Sequence, residues 1–299
     1  MKKWLSFLVI LISFSVFSKE VEVKFTSIVK HKNFDIAIGS KVELRFPDRE
    51  IVEEALFLGR MVDQDLKDLE FLFLDQKRNR IYMIDPSNLM GVKKSRTQAV
   101  ISPIDQLGST CTAYGFFHYW NQVFVSKFKA SEDLSVLMSS DRKRMQYLEE
   151  IIELYYLQNR TNITSLLKRD GERFGLKCRN NKFTNAKLAA DFIFREASEG
   201  NPVMIDFNVA SNMVTSSYEI TDYETPASRD PRLWIPRKVG QRSSSGHVIV
   251  VAGAFVTKGR QKLLVLDSNW TEPRVWDLER YLKRKAAVQE MGFHTCKEE

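Results

Sequence analysis

Apolar and polar positions change period twice along the chain. Between residues 19 and 95 they alternate in short runs, as in Val21-Glu22-Val23-Lys24-Phe25 and in Val42-Glu43-Leu44-Arg45-Phe46, which meets the Pro47-Asp48 turn. Phe71-Leu72-Phe73-Leu74 stops at Asp75, and Ile81-Tyr82-Met83-Ile84 stops at Asp85-Pro86. Short runs of this kind, bounded by Gly, Pro and Asp, predict a small β-rich unit built as a barrel or sandwich. A polar connection over 96–104, ending in Ser102-Pro103, then separates it from a second domain spanning 96–299. There the period lengthens, predicting helices over 111–128, 141–158 and 186–198. In the second, Met145, Leu148, Ile151, Ile152 and Tyr155 form the stripe; in the third, Leu188, Ala189, Phe192 and Ile193 face inward before Gly200-Asn201-Pro202 closes it. From Val203 onward the pattern is that of buried strands, at 203–207, 248–252 and 263–266. The long polar stretch 208–246 between the first two reads as a loop, either functional or disordered. Helices followed by strands make the class α+β.

The N-terminus is different in kind. Lys2 and Lys3 precede an apolar run over 4–17, and Val16 and Ser18 are small residues at the positions a signal peptidase reads. This predicts a cleaved signal peptide, residues 1–18, and a secreted or periplasmic protein, with an uncleaved anchor as the alternative. The run falls short of the roughly 20 residues a membrane span needs, so no stable span is expected after cleavage. The formal charge is +7, and +5 once Lys2 and Lys3 are gone, with acidic and basic residues interleaved. Such a balance permits contact with anionic cell-envelope polymers, through the N-terminal unit, and does not argue for nucleic acid. Three cysteines is an odd number for an exported chain, so one thiol stays free or pairs with another molecule. If Cys178 and Cys296 bridge, Cys111 is the one left over; a chain with no bridge is the alternative.

Cys111 is also the most chemically pointed of the three. The run Asp105-Gln106-Leu107-Gly108-Ser109-Thr110-Cys111 leads a polar turn into an aromatic helix, placing a thiol at a helix N-terminus, where free amides and the dipole favour thiolate. Gln106, five residues upstream, can turn its amide to the same spot. A thiolate nucleophile needs a base, and four histidines are available. His31 stands between lysines in the N-terminal unit. His118 lies about two helical turns from Cys111, roughly 10 Å along the axis and beyond hydrogen-bond reach. His294 has no supporting pattern. His247 follows Ser243-Ser244-Ser245-Gly246 and opens an apolar strand, which would hold its ring rigidly at a cleft. A hairpin around Thr257-Lys258-Gly259-Arg260 would return Asp267 to the level of His247, where an Asp or Asn can accept from one imidazole nitrogen while the other faces the thiol. Trp270 could shield that bond from water.

In these three blocks the chain resembles the papain family of cysteine peptidases. Gln106, Gly108-Ser109, Cys111 and Ala113-Tyr114 match the family's first block; Gly246-His247-Val248 through Gly253-Ala254-Phe255 match the second; and Asp267-Ser268-Asn269-Trp270 is similar to the third. Cys111 and His247 are 136 residues apart, within the roughly 130–150 of papain-like enzymes. The resemblance covers about residues 100–285 and implies a two-lobed α+β fold, a helical lobe beside a β-rich one. It also implies Cys111 as nucleophile, His247 as base and acid, Gln106 as a donor to the oxyanion, and Asp267 as third member, with Asn269 the alternative. No cofactor and no metal are implied, and the partner is a protein or peptide substrate. The chain departs from the family in its shorter Gln-to-Cys spacing, in Thr112 where an aromatic residue is usual, and in lacking the cysteine that precedes the nucleophile. The N-terminal unit, with its Gly39-Ser40-Lys41-Val42 entry, is similar to bacterial SH3-like barrels; an accessory domain and a pro-segment are the two readings of it. Two other functions fit less of the pattern: a transglutaminase-like or amidase activity, and a non-catalytic cell-envelope or protein-binding module on a decayed peptidase scaffold.

Overall fold

The computed structural model describes residues 21–27, 38–48, 50–62, 68–78, 80–85, 88–90, 99–101, 106, 109–126, 132–137, 139–157, 162–210, 214–215, 219–222, 232–233, 236–257, 259–269, 273–282 and 286–298. The signal-peptide assignment, His31, Gly108 and Trp270 lie outside the described residues.

The four runs singled out in the N-terminal unit form β1 (Val21–Ser27), β2 (Lys41–Arg45), β4 (Asp68–Asp75) and β5 (Arg80–Ile84), and with β3 (Ile51–Val62), which no such run had marked, they make an antiparallel meander in chain order. Two short strands, β6 (Leu89–Met90) and β7 (Ala99–Ile101), add in parallel to β1 and β3. In β2 the alternation survives as burial: Val42 and Leu44 are fully buried while Lys41, Glu43 and Arg45 are not. The unbroken apolar runs of β4 and β5 have another cause, because both faces of the sheet are covered. Phe57, Phe71, Phe73, Tyr82 and Ile84 form a core on one side. On the other, Leu56, Leu58, Leu72, Leu74, Ile81 and Met83 belong to the same cluster as Val100, Tyr114, Phe117 and Trp120.

That shared core is centred on α1 (Cys111–Ser126), in which thirteen of sixteen residues are buried. A helix apolar on all sides is an interior helix. The short α2 (Glu132–Leu137) follows, then α3 (Asp141–Ile152), capped by the Ser140 hydroxyl accepting from the Lys143 amide at 3.4 Å. Its last turn widens into a π-type turn over Glu153–Leu157. The stripe of α3 is rotated from the predicted one: Arg144, Tyr147, Leu148 and Ile151 are buried and Met145 is exposed. The polar-looking α4 (Ile163–Arg173) begins at Asn162, whose side chain accepts from the Ser165 amide. Next come β8 (Lys177–Asn181) and α5 (Ala186–Ser198). Leu188 of α5 is 57% exposed rather than inward. The buried face carries Ala189, Ile193, Glu196 and Ala197, with Glu196 held by Lys297 and Asn201.

The second large sheet takes the order β15-β14-β13-β9-β16-β8, built from β9 (Val203–Ala210), β13 (Ser243–Thr257), β14 (Arg260–Leu266), β15 (Arg274–Asp277) and β16 (Gly292–Lys297) together with β8. The α6 turn (Leu278–Tyr281) follows β15. Every pairing is antiparallel, and β13 and β14 form the expected hairpin, with Thr257 opposite Arg260. Cys178 on β8 and Cys296 on β16 stand directly opposite and are joined by a disulfide, leaving Cys111 as the free thiol. The stretch 208–246 is not wholly loop. It holds β10 (Val214–Thr215) paired with β12 (Arg232–Leu233), and β11 (Glu219–Asp222), which adds in parallel to β5 of the N-terminal sheet. The Thr257 hydroxyl also donates to Gln76 Oε1 at 2.6 Å. Among the described residues the molecule is thus α+β, with two large, mainly antiparallel sheets and four main helices. No helix among them is long and apolar enough to cross a membrane.

Candidate active site

Three elements bring the site together. α1 presents Cys111 as its first residue, β13 carries His247, and the turn after β14 carries Asp267. The helix lies unusually close to β13: a methyl group at Gly115 would sit 2.3 Å from Val248 Cγ1. Only glycine, one turn into the helix, permits this approach, and Val248 directly follows His247.

Asp267 is fully buried, and its Oδ1 lies 3.0 Å from His247 Nε2. The same oxygen accepts from the Asn269 backbone amide at 3.0 Å and the Asn269 side chain at 3.1 Å. Asn269 Nδ2 is also 3.3 Å from His247 Nε2. An amide nitrogen cannot donate to a ring nitrogen that is itself donating to the carboxylate. Asp267 is therefore the geometric partner of the imidazole, and Asn269 a clamp on that carboxylate. With Nε2 so engaged, His247 meets Cys111 through its other nitrogen, Nδ1. Phe207 packs edge-on against the imidazole, ring centroids 5.8 Å apart, and fixes its plane.

The electrostatics follow from this chain. Burial alone pushes the Cys111 thiol up, but the hydrogen bond and charge of His247, with the Val248 amide, outweigh it and leave the thiol below its ordinary range. Burial alone pushes His247 down, yet Asp267 and then Cys111 raise it to about 10. Each group stabilises the charged form of the other, favouring a thiolate–imidazolium pair near neutrality. As a neutral thiol, Cys111 can donate to the Gly246 carbonyl at 3.8 Å.

Gln106 is tied to the same turn. Its backbone N–H donates to the Ser268 carbonyl at 2.8 Å and its Oε1 accepts from the Ser268 hydroxyl at 2.6 Å. The segment before Cys111 is thus stapled to the residue after Asp267. The structure brings Gln106, Cys111, His247, Asp267 and Asn269 into one constellation. His118 stays apart, fully buried on α1, where burial lowers it to about 4.

Beside Cys111 and His247 opens a cavity of about 360 Å³. Tyr155, expected in the apolar stripe of a helix, is instead brought to its wall with Tyr156 by the π-type turn, and Asp206 and Glu290, which no motif marked, line it too. The Tyr156 hydroxyl accepts from the Thr112 amide at 3.0 Å, closing one open donor at the head of α1. Asp206 is held by buried His294, whose Nε2 lies 2.5 Å from Oδ1. Only the alternation of Asp206 and Asn208 with buried Ile205, Phe207 and Val209 hinted at a polar face. No group of three metal-ligating side chains occurs among the described residues. Compared with known proteins, the chain matches no family model and no curated sequence.

Proposed function

We propose that the chain is an exported, papain-like cysteine peptidase that hydrolyses peptide bonds through Cys111, His247 and Asp267. The observation that carries this reading is the continuous path from buried Asp267 through His247 to a thiol at a helix N-terminus, with Cys111 and His247 bordering an open cavity. The Cys111 thiolate attacks the substrate carbonyl carbon. The oxyanion is met by the Cys111 backbone amide and the Gln106 side-chain amide, whose oxygen end is already committed to Ser268. The His247 imidazolium gives its proton to the departing amine, leaving a thioester. His247, now neutral, takes a proton from water, whose oxygen attacks the thioester; the acid leaves and the thiolate–imidazolium pair is restored. Asp267 keeps the ring oriented and stabilises its positive form.

Packing of the α1 side against the β13–β14 side, with the cleft between, supports a two-lobed papain-like reading. The meander of β1–β5 supports an SH3-like N-terminal unit, retained as an accessory domain that can contact cell-envelope polymers. Export is supported by the N-terminal pattern and by the Cys178–Cys296 disulfide, which persists in oxidising compartments. The test is reaction with a peptidyl vinyl sulfone, followed by mapping of the adduct. One adduct per chain on Cys111, abolished by Cys111→Ala and strongly slowed by His247→Ala, is expected. Labelling indifferent to His247, with no peptide turnover, would instead favour a non-catalytic binding module.

A further inference from the structure

A carboxylate in the middle of a central strand is expensive, and Asp206 is such a case. It sits on β9 between Val248 of β13 and Gly292 of β16, among fully buried Val203, Met204 and Ile205. The fold makes specific room for it: a methyl group at Gly292 would lie 1.9 Å from Asp206 Oδ1 and 2.6 Å from His294 Nε2. His294 is 1% exposed, and its Nδ1 is buried with no hydrogen-bond partner among the described residues. The Asp206 side chain is still 29% exposed, and it lines the cavity beside the nucleophile. Glu290 lies at the same cavity, bonded to Arg237 and Asn208. No lysine or arginine is among the described lining residues, although the chain as a whole is basic. Tyr155 and Tyr156, packed edge-on against each other, also line it, and aromatic rings attract guanidinium and ammonium groups.

We infer that this cavity is a specificity pocket for an arginine or lysine side chain of the substrate, with Asp206 as its counter-charge. The inference rests on the peptidase reading above. A partly buried carboxylate that receives a cation is a charge-assisted contact, which an uncharged side chain of the same shape cannot make.

The test is a set of fluorogenic peptide amides differing at single positions between arginine and citrulline, its uncharged near-isostere. At one position kcat/KM is expected to favour arginine by about tenfold or more, and Asp206→Asn is expected to erase most of that ratio. A second measurement needs no variant: added salt should raise KM for the arginine peptide and leave the citrulline peptide nearly unmoved. Equal turnover of the two peptides, a ratio unchanged in Asp206→Asn, or salt-independence of the arginine peptide would each overturn the inference. Vinyl-sulfone labelling of Cys111 separates the two levels. Labelled enzyme without arginine preference refutes the pocket alone, whereas neither labelling nor turnover refutes the peptidase reading and the pocket with it.

Discussion

Replacing Asp267 by Asn tests the electrostatic chain with little change of shape. Oδ1 accepts from His247 Nε2 and from both nitrogens of Asn269, and an amide oxygen can do the same. Oδ2 is buried without a hydrogen bond among the described residues, so an amide nitrogen there displaces no partner. What disappears is a full negative charge 3.0 Å from a ring that is 6% exposed. A hydrogen bond to a charged group is worth about 1.5–3 kcal/mol, and about 1.4 kcal/mol is one pH unit. His247 should therefore fall from about 10 by roughly one to two pH units, and the thiolate should lose part of its counter-charge. The sign is fixed by the two titrations. The ion pair exists above the depressed range of Cys111 and below about pH 10. Weakening it raises the lower edge and lowers the upper one. The assay is the second-order rate of iodoacetamide alkylation from pH 4 to 10, which reports Cys111 because the other two cysteines are bridged. Wild type should reach its plateau well below the ordinary thiol range. The variant's acid limb should move to higher pH, with the rate at pH 6 down about tenfold. Superposed profiles, or an acid limb displaced to lower pH, would refute the reasoning.

Three other outcomes follow from the same geometry. His118 is held near pH 4 by burial but titrates at its ordinary value when unfolded, so stability is present above about 6.5 and lost as pH falls toward 4. The loss should be about 3 kcal/mol, and urea midpoints of His118→Gln should decline less steeply across that window than those of wild type. Gly115→Ala puts a methyl into Val248 and should cost about 1–3 kcal/mol in stability. Because it displaces β13 next to His247, kcat/KM should drop about a hundredfold, more than the folded fraction does. A chain beginning at residue 96 loses Leu56, Leu58, Leu72, Leu74 and Ile81 from the core around α1, at about 1.5–3 kcal/mol each. That is comparable with the whole stability of a domain, so the shortened chain should show no cooperative melting transition; a sharp transition would contradict the shared core.

The sequence was most legible where one physical cause acted alone. Alternation in 42–46 and the all-round apolar character of 112–125 follow directly from one covered face and from none exposed, and both elements form as expected. The catalytic candidates were legible because turn chemistry and strand ends place Cys111, His247 and Asp267 independently of their neighbours. Legibility failed where long-range partners reverse a residue's usual place. Glu196 reads as a surface residue, yet Lys297 and Asn201 receive it in the interior, which turns α5 and leaves Leu188 outside. β16 buries residues of both parities from Gly292 to Cys296, so it shows no alternation. α4 has few apolar residues and an interior Gly171. Asp206 was hidden for a related reason: its partner His294 lies 88 residues away and reaches it only through sheet order.

The central claim is that Cys111 forms a thioester with the acyl part of a peptide substrate and that water then resolves it. Rapid quenching of the enzyme with a fluorogenic peptide amide in ¹⁸O-water, read by mass spectrometry, tests this directly. An acyl adduct on Cys111 during turnover and one ¹⁸O atom in the released acid are expected, with neither in Cys111→Ala. Hydrolysis that continues in Cys111→Ala, or no adduct and no hydrolysis by wild type across a broad peptide set, would contradict it.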